Sequence, residues 1–294
     1  MRDYVTFILN NEVQTFSGLA GDTTLLAWLR RTRGLTGSKE GCAEGDCGAC
    51  TVVVARPDNT QSGTGPNPDG KIIWRPVNAC ILFMGMLEGA SVTTIEGLSD
   101  GTGGLHPCQQ AMVDFHASQC GFCTPGFVMS LFAAWCNGDG LRPDTIDDTL
   151  AGNLCRCTGY RPIVDAGLSL ASQSLADHSL ADHSLADHNL PAAELARRQT
   201  EAKLMAEIAH DQTVRLADDD SPSPVAFVAP AAADEFTSYY ADNPDATIVS
   251  GATDVGLWVT KQQRHLPVML WTGRVAGFTQ TTQMDDHQLD DQIE

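Results

Sequence analysis

Eight of the ten cysteines fall into two groups whose spacing suits metal ligation. The first is Cys42-x4-Cys47-x2-Cys50 with Cys80 downstream, the spacing by which plant-type loops hold a [2Fe-2S] cluster. Four thiolates on a ferric pair leave the centre anionic, so such a loop must turn backbone N–H groups toward the sulfurs. Gly41, Gly45 and Gly48 allow that curl because they carry no Cβ. A four-cysteine zinc site fits less well, since its ligands usually come as two separated Cys-x2-Cys pairs. The second group is Cys120-Gly-Phe-Cys123 with Cys155-Arg-Cys157. Each pair lies where a helix is expected to start, and the free N–H groups and positive dipole end there favour thiolates. Arg156 would offset anionic charge further. This spacing alone admits zinc as well as iron–sulfur; a redox centre predicted nearby favours a second one, and two centres make a wire.

The remaining candidates read differently. Cys108 and Cys136 occupy helical positions outside both groups and are expected to pack as small apolar residues. His178, His183 and His188 recur inside three Ser-Leu-Ala-Asp-His repeats. Their five-residue period builds no continuous apolar face, so a linker is expected there rather than a metal site. No residue set suggests a catalytic centre. The chain holds 18 Lys and Arg against 37 Asp and Glu, net −19, which argues against a nucleic-acid partner. Residues 1–164 account for −5 of this and residues 165–294 for −14, as expected of a solvated C-terminal region. No stretch reaches the roughly 18 apolar residues of a membrane span, and the N-terminus has no apolar leader. A cytoplasmic location and ligand rather than disulfide cysteines follow as expectations.

Several elements must position these groups. Tyr4 to Asn10 alternates apolar and polar residues, turns at Asn10-Asn11 and resumes over Glu12 to Phe16, which predicts a hairpin. A helix capped by Asp22 or Thr23 should follow, carrying Leu25, Leu26, Trp28 and Leu29 and ending at Gly34. Strands are predicted at Thr51 to Ala55 and Lys71 to Arg75, around a Pro/Gly/Asn-rich excursion from Pro57 to Gly70. Helical periods then cover Cys108 to Ala117, Thr124 to Cys136, Asp144 to Ala151 and Arg161 to Leu170, a small bundle. Pro230 to Asp242 and Leu257 to Gln263 read as helices, with strands at Thr247 to Val249 and around Val268 to Trp271.

Three motifs in this order resemble the molybdenum hydroxylase family: Gly41-Cys-Ala-Glu-Gly-Asp-Cys-Gly-Ala-Cys50, Gln119-Cys-Gly-Phe-Cys-Thr-Pro-Gly126 and Asn153-Leu-Cys-Arg-Cys-Thr-Gly-Tyr-Arg-Pro162. The resemblance implies an α+β chain with a plant-type ferredoxin-like β-grasp domain over 1–90 and a four-helix [2Fe-2S]-binding bundle over 91–171. The low-complexity linker over 172–221 lies outside the resemblance, which resumes more weakly with the start of an α/β FAD-binding domain over 222–294. The resemblance implies two [2Fe-2S] clusters and a separate molybdopterin-binding large subunit that oxidises the substrate. Electrons would pass through both clusters to FAD and on to NAD+. Gln119 and Cys157 would approach the pterin.

The FAD reading rests on Ile248, Val249, Ser250, Gly251, Ala252, Thr253, Asp254, Val255 and Gly256, a glycine-containing loop entering a helix, which can present N–H groups to a pyrophosphate. With Gly273-Arg-Val-Ala276, this resembles the small-subunit arrangement of bacterial xanthine dehydrogenases. A flavin domain of that kind continues further; here Thr281-Thr-Gln-Met-Asp-Asp-His287 follows and the sequence stops, which implies a truncated domain lacking half the FAD site. The expected role is an electron-transfer subunit that catalyses nothing alone. Its rivals are a subunit acting on an aldehyde or another N-heterocycle, an independent two-cluster ferredoxin, and a structural zinc protein.

Overall fold

The computed structural model describes residues 1–57, 72–99, 104–174, 192–275 and 277–278; the Ser-Leu-Ala-Asp-His repeats beyond Ser174, with their histidines, lie outside them. The chain opens with the expected hairpin, β1 (Tyr4–Leu9) and β2 (Glu12–Ser17), antiparallel from Tyr4 opposite Ser17 to Leu9 opposite Glu12. Asn10 and Asn11 turn it at φ of 51° and 67°, a left-handed conformation that Asn tolerates better than most residues. Helix α1 (Leu25–Arg31) buries Leu25, Leu26, Trp28 and Leu29, but its cap is Thr24, not Asp22 or Thr23: the Ala27 amide donates to Thr24 Oγ1 at 3.3 Å. Strands β3 (Thr51–Pro57) and β4 (Ile72–Asn78) pair antiparallel. The short β5 (Ser91–Thr93) inserts between β1, to which it is parallel, and β3. The sheet therefore runs β2-β1-β5-β3-β4, a β-grasp with α1 on one face.

The other face is not solvated. On β3, Val52 and Val54 enter the core shared with α1, whereas Val53 and Ala55 enter a second core made with the helices, as the two-residue strand period requires. Those helices are α2 (Pro107–Asp114), α3 (Thr124–Asn137), α4 (Ile146–Leu150) and α5 (Arg161–Ser174). Every residue of α3 from Gly126 to Cys136 is buried, which its apolar run, interrupted only by the hydrogen-bonded Ser130, allows. Fully burying Phe127, Leu131 or Phe132 is worth about 1.5–3 kcal/mol each relative to exposure. Cys108 and Cys136 are 0% and 3% exposed within this core.

One expectation about the C-terminal part needs correction. The linker expected over 172–221 contains a helix, α6 (Ala192–Ile208), and a strand, β6 (Val214–Leu216). The face that α6 turns inward is charged. Glu194, Arg198 and Glu201 are at most 8% exposed, so no apolar period announces the helix. The strand–helix region that follows, β7 (Ala226–Ala229), α7 (Ala233–Asp242), β8 (Thr247–Val249), α8 (Val255–Thr260) and β9 (Val268–Trp271), does not stand apart. Its sheet runs β6-β7-β9-β8, with β7, β9 and β8 parallel. Val214, Phe227, Met269 and Trp271 belong to the same core as α1. A Cβ on Gly85 would lie 2.2 Å from the Phe227 ring, so only glycine lets the two units approach this closely.

Candidate iron–sulfur centres

The loop carrying Cys42, Cys47 and Cys50 runs between α1 and β3, and Cys80 follows β4. Ala43, Gly45 and Gly48 hold φ of 55°, 83° and 68°, which winds the backbone inward. The Glu44 and Cys47 amides each donate to Cys42 Sγ at 3.4 Å. Burial raises the Cys42 thiol, but these amides and that of Asp46 outweigh it and hold the group below the ordinary thiol range. The thiols meet two by two, Cys42 with Cys47 and Cys50 with Cys80. The hydrogen bond from Cys80 pulls Cys50 down, and the same bond, with burial, pushes Cys80 far up. Asn78 braces the loop: its side-chain amide donates to Gly45 O at 2.5 Å, and Cys50 Sγ lies 3.8 Å from its Oδ1.

The second set repeats this pattern. Cys123 is the N-cap of α3, and Cys155 and Cys157 precede α5 by a few residues rather than sitting at its first turn. Cys123 meets Cys155, and Cys120 meets Cys157. Burial and the Cys155 contact push Cys123 up to about 12. Burial would also raise Cys155, but the Thr158 hydroxyl, 3.3 Å from its sulfur, and the Thr158 and Cys157 amides bring it down to about 7. The Cys155 amide donates to the Tyr160 hydroxyl at 3.0 Å, closing the loop from behind.

Among the described residues, no three His, Cys, Asp or Glu side chains converge on a single metal ion; the thiols form pairs instead. Four thiols in each set are the donor number that a [2Fe-2S] cluster takes, so the residues present would fit one at each loop. Amides aimed at sulfur supply the outer contacts that tune such a group. The two sets differ in exposure: Cys50 and Cys80 are buried, whereas Cys120 and Cys157 are exposed, as is Gln119 beside Cys120. Phe122, Leu154 and Tyr160 flank the exposed set at 46%, 55% and 38% exposure. A groove of about 480 Å³ lined by Leu105, Met112, Val113 and Pro125 opens beside Gly121.

Residues 248–256 form the predicted strand, loop and helix. Val249, Ala252 and Gly256 are buried, and Ser250, Gly251, Thr253 and Asp254 are exposed. The α8 helix that follows touches the first cysteine loop: Thr260 Oγ1 donates to Ala43 O at 2.8 Å, and Lys261 pairs with Glu44 at 3.5 Å. Asn153, Asn78 and Tyr160 are site residues that spacing did not single out, although Asn153 and Tyr160 stand inside a quoted motif.

Two cysteine-walled loops of this kind, on a β-grasp sheet and on a helical bundle, define a two-centre iron–sulfur electron-transfer protein. Residues 7–84 match the 2Fe-2S iron-sulfur cluster binding domain family, and residues 94–168 match the [2Fe-2S] binding domain family. The xanthine dehydrogenase of Blastobotrys adeninivorans is 47% identical over 163 residues, 55% of this chain and 11% of the relative. Aldehyde oxidase 1 of Oryctolagus cuniculus is 48% identical over 145 residues, 49% of this chain and 10% of the relative. Among solved structures, quinoline 2-oxidoreductase from Pseudomonas putida 86 is 33% identical with a TM-score of 0.46, covering 57% of this chain and 91% of that one. By the sequence matches, about half of the chain is homologous to the iron–sulfur region of xanthine dehydrogenases and aldehyde oxidases. It spans about a tenth of the length of the curated relatives it matches.

Proposed function

We propose that this chain is the electron-transfer part of a xanthine dehydrogenase-like molybdenum hydroxylase. Cys42, Cys47, Cys50 and Cys80 hold one [2Fe-2S] cluster, and Cys120, Cys123, Cys155 and Cys157 hold the other. The observation that carries this reading is the pairing of eight thiols two by two at two adjoining loops, with Cys50 and Cys80 buried in the first and Cys120 and Cys157 exposed in the second. When bound, the clusters supply one-electron redox chemistry. The chain's own groups orient the sulfurs, aim amides at Cys42 and exclude water from Cys50 and Cys80.

On this reading, electrons enter at the exposed set from a molybdopterin-bearing partner, which meets Gln119 and Cys157. The apolar rim of Phe122, Leu154 and the Leu105–Val113 groove favours a protein partner there. Electrons leave beside the first loop toward FAD at Ile248–Gly256 and then NAD+. The Thr260–Ala43 and Lys261–Glu44 contacts support that exit, because they seat the strand–loop–helix unit against the Cys42 loop. The purine substrate and the NAD+ acceptor come from the likeness to xanthine dehydrogenases, and aldehyde oxidases are matched as closely.

The test is isolation of the tagged chain from its own cells. A molybdopterin-containing polypeptide should copurify, and adding a purine should bleach the visible absorption of the complex. Bleaching by an aldehyde alone would move the substrate class. Purification free of any molybdenum protein would instead make the chain an independent two-cluster ferredoxin.

A further inference from the structure

The two cysteine loops are joined backbone to backbone. The Leu154 amide donates to the Cys47 carbonyl at 3.0 Å, and Leu154 immediately precedes Cys155. A chain of bonded atoms thus leads from Cys47 Sγ through Cβ, Cα, C and O, across one hydrogen bond to Leu154 N. It continues through Leu154 Cα and C, then Cys155 N, Cα and Cβ, to Cys155 Sγ. One residue before Leu154 stands Asn153, a polar side chain only 3% exposed. Its amide nitrogen donates to Gly48 O at 3.0 Å and lies 3.2 Å from Thr51 Oγ1, and its Oδ1 accepts from Ser130 Oγ at 2.6 Å. Asn153 therefore ties together the first loop at Gly48, the start of β3 at Thr51 and α3 at Ser130.

The contact is as close as backbone allows. A Cβ on Gly48 would stand 2.2 Å from Gly152 O, and one on Gly126 would stand 2.1 Å from Gly48 O. Packing alone would be served by apolar side chains. A fully buried Asn with its hydrogen-bonding capacity engaged on three elements fixes position and angle as well, because any slippage leaves polar groups unpaired.

We propose that Asn153 is a positioning residue: by holding the Cys47 carbonyl on the Leu154 amide it keeps the bonded path between the two centres short, and so sets the rate at which an electron crosses. The proposal rests on the two-cluster reading. Electrons tunnel more readily through bonded atoms and a short hydrogen bond than through a gap, so widening this one contact weakens the coupling. A single electron crosses, one centre is oxidised and the other reduced, and no bond breaks and no proton moves. Dithionite, or a photoreductant in the rate measurement, serves as the external donor.

The test uses the full-length protein loaded with iron and sulfide, comparing Asn153→Ala and Asn153→Asp with the wild type. Iron analysis of the wild type addresses the two-cluster reading by itself: zinc in place of iron overturns that reading and this proposal with it. Hydrogen exchange at the Leu154 amide reports the clamp whether or not a centre is loaded. Protection should be present in the wild type and fall about tenfold in Asn153→Ala, the factor that loss of one hydrogen bond's net contribution implies. In loaded protein, inter-cluster electron transfer after flash photoreduction should slow while both midpoint potentials stay put. Where Asn153→Ala does not load, Asn153→Asp decides the matter. It has nearly the same volume and can still accept from Ser130, but it has no N–H for Gly48 or Thr51. Wild-type exchange at Leu154 and an unchanged inter-cluster rate in a loaded Asn153 variant would overturn the proposal, as would lower stability with an unchanged rate.

Discussion

Replacing Gly48 by alanine tests the apposition of the two loops with a single methyl group. Gly48 holds φ of 68°, a conformation that costs an L-residue about 1–2 kcal/mol. The new Cβ would also stand 2.2 Å from Gly152 O and 2.4 Å from Asn153 Nδ2. Neither atom is free to give way, since one is backbone and the other belongs to a buried side chain held by three hydrogen-bonding partners. Overpacking of this kind adds about 1–3 kcal/mol, so the total loss should be about 2–5 kcal/mol. Gly138→Ala supplies the control. Gly138 caps α3 at φ of 70°, and a Cβ there would meet nothing within 4 Å, so it carries only the backbone cost of about 1–2 kcal/mol. Urea midpoints of the two loaded variants, measured side by side, isolate the clash. Gly48→Ala should unfold at clearly lower urea and lose iron from the first site on gel filtration. A midpoint no lower than that of Gly138→Ala would refute the close contact between the loops.

Further outcomes follow from the same structure. Glu201 is 0% exposed and accepts from Trp74 Nε1 at 3.0 Å and Ser91 Oγ at 2.6 Å, so Glu201→Ala leaves two buried donors unpaired at about 1–3 kcal/mol each. Faster amide exchange and new protease cleavage within residues 192–208 should result, and unchanged protection would contradict the buried placement of α6. Burial between Phe132 and Trp135 pulls His106 down to about 4, partly offset by Glu194. Its unfolded value is about 6.5, so the unfolded chain binds the extra proton between these values. Stability should hold above pH 6.5 and fall by roughly 3 kcal/mol in all as pH drops through 4; His106→Gln should flatten that slope, and an unchanged slope would contradict it. Cys50→Ala should lose about half the iron, whereas Cys108→Ala and Cys136→Ala should keep it all; iron loss from either of the latter would add a ligand the account excludes.

Much of the architecture was legible because its signals are local. β1, β2, α3, β8 and β9 sit within a residue or so of expectation, since each is an alternating or apolar stretch with a turn or cap at its end. The short strands β5 and β6, three residues each, were missed because they exist only through the neighbours they pair with. Helix α6 was missed for a different reason: Glu194, Arg198 and Glu201 face inward, where ion pairs, Trp74 and Ser91 satisfy them. A buried polar face looks solvated in sequence. The cysteine groups were legible because thiolate spacing is dictated by loop geometry. Asn153 was not, since its importance lies in Gly48, Thr51 and Ser130, far away in sequence.

The most direct test of the central claim is iron and acid-labile sulfide analysis of anaerobically purified protein, followed by electron paramagnetic resonance of the dithionite-reduced sample. The account predicts about four irons and about four sulfides per chain and two distinct spin-one-half signals. A colourless protein carrying zinc would contradict it.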